Sequence, residues 1–112
     1  MRKPERRKQR SEKAHLALNL YLESIRESEG FKALAVTTDD GFLVAGAGVR
    51  ETDVEWMGAI GASSKRKTLE WEDDTLHIQA LEVNHVPMFL TSTGKRANLA
   101  AVKKGLERIL AA

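Results

Sequence analysis

The chain of 112 residues contains no cysteine. Disulfides, thiolate metal sites and cysteine nucleophiles are thereby excluded, and a reducing compartment is compatible. No apolar run approaches the roughly 18 residues that a membrane-crossing helix needs. The first residues are charged where a secretory signal is apolar, so a cytoplasmic location is expected. Complete catalytic signatures are missing as well. Gly46-Ala47-Gly48 lacks the third glycine of a dinucleotide loop, because position 51 is Glu, and its strand belongs to a hairpin. Thr93-Gly94-Lys95 departs from a phosphate-binding loop at Phe89 and at Arg96. Ser63 and Ser64 have no nucleophile-elbow context. His15, His77 and His85 share no ligand spacing and read as solvent-facing side chains. No catalytic residue, metal site, cofactor or small-molecule substrate is therefore expected.

An apolar share of 42% and a charged share of 30% are ordinary for one globular domain of this length. The net charge of +2 conceals an asymmetry. Residues 1–13 carry seven Lys/Arg against two Glu, whereas the remainder carries eleven against fourteen Asp/Glu. Residues 1–12 read as a basic flexible tail, helical near its end, and 13–112 as the folded domain. A tail of this kind is attracted to phosphate, in nucleic acid or anionic lipid, through Arg2 to Arg10. It has no aromatic residue for stacking on bases, so a solvated extension is the preferred reading.

The spacing of Ala14, Leu18, Tyr21, Leu22 and Ile25 predicts a helix from Ser11, its apolar stripe widened by Leu16 and Leu20 and its end marked by Gly30. Asp40-Gly41 between apolar runs predicts a hairpin of Phe31–Thr38 with Phe42–Gly46. Both runs are nearly continuous, so both faces of the sheet are expected to be covered. Thr52-Asp53 offers a cap to a second helix ending about Lys65. A meander of Thr68–Glu72, Thr75–Asn84 and Val86–Ser92 follows, with a bulge near Ala80 where the alternation changes phase. The last helix is predicted from Thr93 or Gly94 to Ala111.

The second helix carries Trp56, Met57 and Ile60 beside Gly58, Gly61 and Ala62. Interior glycine costs a helix about 1 kcal/mol relative to alanine, so another backbone is expected to come close. Trp56, Met57, Ile60 and Leu69 read as contacts to a second copy, with Gly58, Gly61 and Ser64 permitting approach and Trp71 on a charged edge strand. Arg50, Asp53, Glu55 and Arg66, around the same helix, are candidate partner-binding residues. Gly94, Lys95 and Arg96 are a weaker anion-binding candidate, on the expectation that they begin the last helix.

The apolar strand FKALAVTTDDG, the small-residue strand FLVAGAG and the helix DVEWMGAIGASS resemble the core of the roadblock family, named for dynein light chains of that type. TLHIQALEVNHVPMFLTSTGKRANLAAVKKGLERIL is similar to that family's strand pair and closing helix. The resemblance implies an α+β fold: a five-stranded antiparallel sheet, the first and last helices on one face and the middle helix on the other. It also implies a homodimer with middle helices side by side and third strands paired. Members of the family serve as platforms for small Ras-like GTPases or as light chains of motor and signalling complexes. An adaptor that binds such a GTPase is the function implied; a basic-tail docking module and a small-ligand sensor are the rivals.

Overall fold

The computed structural model describes the backbone of residues 3–48, 51–71 and 74–111, with side chains at 13–48, 54–70 and 74–111. The elements run α1 (Lys3–Glu29), β1 (Ala33–Thr38), β2 (Leu43–Gly48), α2 (Glu51–Ser64), β3 (Thr68–Trp71), β4 (Asp74–Val83), β5 (Val86–Thr93) and α3 (Leu99–Ala111). The five strands form one antiparallel sheet in the order β2-β1-β5-β4-β3.

Alternate strand residues point to opposite faces, and each face has its own core. Leu34 and Val36 of β1, Leu90 of β5 and Leu81 and Val83 of β4 pack with Leu18 and Leu22 of α1 and Val102 and Leu106 of α3. Ala33 and Ala35 of β1 and Leu76 of β4 pack with Val54 and Met57 of α2 on the other face. Two helices thus cover one face and one helix the other, as the near-continuous apolar runs predict.

Turns close the elements where local chemistry allows. Gly30 and Gly41 adopt φ of +78° and +94°, ending α1 and turning the first hairpin. The β4–β5 hairpin turns on Asn84 and His85, both at positive φ (+50° and +68°), directly after the Val83↔Val86 pair. This is the signature of a tight two-residue turn.

Four expectations are corrected. The first helix begins at Lys3, well ahead of Ser11. Lys, Arg, Glu and Gln are good helix formers, and Pro4 stands in the first turn, where proline is tolerated. The α1 stripe is narrower than its composition suggests: Leu18 and Leu22 are buried, but Leu16 and Leu20 are 59% and 62% exposed. β4 has no bulge against β5, the register being unbroken from Leu76↔Thr93 to Val83↔Val86. Its apolar phase changes because Leu76 and Ile78 face α2, whereas Leu81 and Val83 face α1 and α3. The register shift lies instead in the first hairpin, between Val36↔Ala45 and Thr37↔Leu43. Finally, α3 starts at Leu99, with the Asn98 side-chain oxygen accepting from the Ala101 N–H at 3.1 Å as its cap.

Candidate interaction surface

Helix α2 lies close on its own sheet because its small residues face inward. A Cβ placed on Gly58 would come 2.7 Å from Thr37 Cγ2, and one on Gly61 would come 2.3 Å from Thr91 Oγ1. On the β2 side, Gly46 and Gly48 leave room for Val54, whose methyl groups lie 2.2 and 2.7 Å from where their Cβ atoms would be. The helix glycines do mark a close neighbour, but it is the side chains of Thr37 and Thr91 on the sheet of the same subunit, not another backbone. Met57, 0% exposed, belongs to that internal core. Met57, Gly58 and Gly61 are thus removed from the surface offered to a second copy.

What remains outward is specific. Trp56 is 65% exposed, and Ile60, one turn further along α2, is half-buried. Glu55, Ala59 and Ser63 are exposed beside them, and Ser64 is half-buried, its hydroxyl donating to the Gly61 carbonyl at 3.1 Å. Leu69 of β3 packs half-buried against the α2-side core. Exposing a large indole on the surface of a small domain leaves apolar area in water that covering recovers.

The two sheet edges differ. β3, four residues long, has β4 on one side and no strand on the other among the described residues. β2, at the opposite edge, is closed by α1. The Asn19 Oδ1 accepts from the Gly46 N–H at 2.9 Å, which turns Nδ2 toward His15 Nε2, 3.2 Å away. Nε2 must then accept, so Nδ1 carries the proton and donates to the Val44 carbonyl at 3.1 Å. Two side chains thus occupy main-chain groups that a further strand would need, at the edge next to the register shift.

The remaining sequence candidates do not converge. Arg50 lies outside the described residues, as do the side chains of Asp53 and Trp71. Glu55 and Arg66 are exposed at opposite ends of α2. Gly94, Lys95 and Arg96 sit in the loop before α3, not at its start, so the helix-end basis for an anion there is lost; the Lys95 ammonium lies 5.1 Å from the Phe31 ring centre. Of the histidines, His85 is exposed, His15 is bound to the β2 edge, and His77 is half-buried with no partner for Nδ1 among the described residues, against the expectation that it faces solvent. Among the described residues no group of three or more His, Asp or Glu is placed to hold a metal. The closure of the β2 edge by His15 and Asn19 escapes a reading of the sequence, where their spacing of four gives the only signal: two polar side chains on one helix face.

No family model and no curated protein matches the chain. Solved structures do. Myxococcus xanthus MglB superposes with a TM-score of 0.61 at 12% identity, covering 87% of this chain and 90% of that one. The gliding protein MglB from Thermus thermophilus gives 0.57 at 11% identity, covering 86% and 90%. A further MglB structure, with a tetrameric arrangement, gives 0.53 at 16% identity, covering 86% and 89%. At such identities the likeness concerns the fold, and the fold is that of a roadblock domain.

Proposed function

We propose that this chain is a homodimeric adaptor that binds and regulates a small Ras-like GTPase, contributing surface and not chemistry of its own. The observation that carries the dimer is the pairing of an exposed Trp56 with a sheet edge, β3, that is open among the described residues. Trp56 and Ile60 of α2 stand on the face that also carries Leu69 of β3, while the β2 edge is closed by His15 and Asn19. A second copy brought up along β3 extends the sheet and lays the two α2 helices together, covering both tryptophans. Such an interface is self-complementary about a two-fold axis. Trp56, Ile60, Ser64 and Leu69 are its proposed contacts.

The GTPase follows from the roadblock resemblance and fold, and the paired α2 helices supply the platform. Glu55 and Arg66 are the described candidates to border it. The test is binding of purified Ras-like GTPases from the source genome, each loaded with GDP or with a non-hydrolysable GTP analogue. A preference for one nucleotide state, lost in a variant that cannot dimerise, supports the reading. No binding to any of them at up to about 100 μM, an affinity weaker than about −5.5 kcal/mol, overturns it.

A further inference from the structure

The α2 surface is not the only apolar surface left open. On α1 the exposed residues Lys13, Leu16, Leu20, Ser24 and Glu27 follow one another at intervals of three and four, and so form one stripe along the helix. Leu16 and Leu20 are 59% and 62% exposed at its centre. Below them, Leu18 and Leu22 hold the helix on the sheet, so the stripe is the outward side of a firmly seated element. Leu20 also walls an open groove of about 390 Å³ that runs over the β2 edge to Val54 of α2.

The charges along α1 point to what covers this stripe. Residues 1–13 are net +5, and residues 23–29 carry three Glu against one Arg. The helix is therefore basic at its start and acidic at its end, with the leucine pair between. A second α1 laid parallel sets like charge beside like. Laid antiparallel about position 18, it sets Leu16 against Leu20 and Lys13 against Glu23, so the two-fold axis places opposite charge face to face at both ends. A single stretch that complements itself under a two-fold rotation fits a second copy of the chain. An anionic membrane or nucleic acid would meet the acidic half as well as the basic one.

We propose that the outward stripe of α1, centred on Leu16 and Leu20, pairs antiparallel with the same stripe of a second copy. α1 lies on the sheet face opposite α2 and against the edge opposite β3, so this contact is separate from the proposed α2–β3 dimer and does not depend on it. Two distinct two-fold contacts on one chain link dimers into a larger closed assembly or a chain of dimers.

The absence of cysteine makes the geometry directly measurable in the full-length protein. Lys13→Cys and Ser24→Cys are prepared as separate variants and treated with a short bismaleimide, alone and mixed. Antiparallel pairing brings position 13 of one copy near position 24 of the other, whereas like positions lie roughly 15 Å or more apart along the helix axis, at 1.5 Å per residue. The expected result is cross-linking in the mixture well above either variant alone, retained with Ile60→Asp added. Adding Leu20→Asp is expected to lower its yield about tenfold, and so is raising the salt. Cross-linking of each variant with itself, or none in the mixture at high protein concentration, overturns the proposal. So does vesicle pelleting with phosphatidylglycerol that Leu20→Asp abolishes while the mixture stays uncross-linked. Because Ile60→Asp removes the other contact, failure here and failure of the α2–β3 dimer give different outcomes.

Discussion

Gly105 shows how one missing side chain seats two helices together. Tyr21 of α1 crosses α3 at this point, its ring Cζ only 2.2 Å from where a Gly105 Cβ would stand, and its hydroxyl donates to the Ala101 carbonyl at 3.0 Å. Gly105→Ala forces the ring off this seat, and overpacking of this kind costs about 1–3 kcal/mol. Chemical denaturation is expected to report that loss, and Tyr21→Ala in the same chain to relieve the clash. Charge acts at the same scale in Glu23, which accepts from Arg26 Nε at 2.8 Å one turn along α1. The Arg26 hydrogen bond, reinforced by its charge, holds the Glu23 carboxyl below its ordinary range. A carboxylate with a lowered folded pKa adds stability above its unfolded value and loses it as pH falls through the folded value. Thermal unfolding is therefore expected to shift downward below about pH 4.5, the ordinary glutamate value, by less in Glu23→Gln than in the parent. The pair is partly solvated, so the difference is small.

At the scale of elements, α1 does more than cover a core. Its His15 and Asn19 bind main-chain groups of the edge strand β2, so the helix also ends the sheet. Asn19→Ala leaves the Gly46 N–H without its acceptor, and the loss of one such bond is expected to cost about 0.5–1.5 kcal/mol. Hydrogen exchange provides the specific readout: the Gly46 amide is expected to exchange faster, with amides in the centre of β5 changing no more than global stability requires. α2 illustrates the opposite outcome. Its glycines make a partner helix an attractive reading, yet they serve its own sheet, because Thr37 and Thr91 rise from β1 and β5 directly beneath. Glycine in a helix signals a close neighbour, and the signal does not say from which chain the neighbour comes.

For the whole molecule, the decisive feature is asymmetry between its two edges and between the inner and outer sides of its helices. Trp56 is exposed and β3 has no further strand beside it among the described residues, which makes this edge the proposed site of assembly, while α1 blocks the other. Ile60→Asp is expected to abolish the α2–β3 dimer, since burying an unpaired carboxylate costs several kcal/mol, of order 3–5. Sedimentation at low protein concentration in about 0.5 M salt, which screens the α1 contact, is expected to give a monomer for this variant and a dimer for the parent. A parent that sediments as a monomer under those conditions removes the basis for the adaptor reading.

The sequence by itself determined the elements and their order: Asp40-Gly41, Gly30 and the apolar periodicities are local signals, each fixed by backbone conformation or by a 2- or 3.6-residue period. It also determined the two-sided sheet, because nearly continuous apolar runs in β1 and β2 admit no solvated face. The start of α3 is not legible in the same way, because Asn98, the side chain that caps it, follows a loop whose Gly94 and Lys95 mimic an earlier start. Only the tertiary structure decided which residues of an apolar helix are surface. Leu16 and Leu22, or Trp56 and Met57, are chemically alike, and one of each pair is exposed while the other is sealed. That choice depends on how each helix seats on the sheet, and it is set by contacts among residues far apart in the chain.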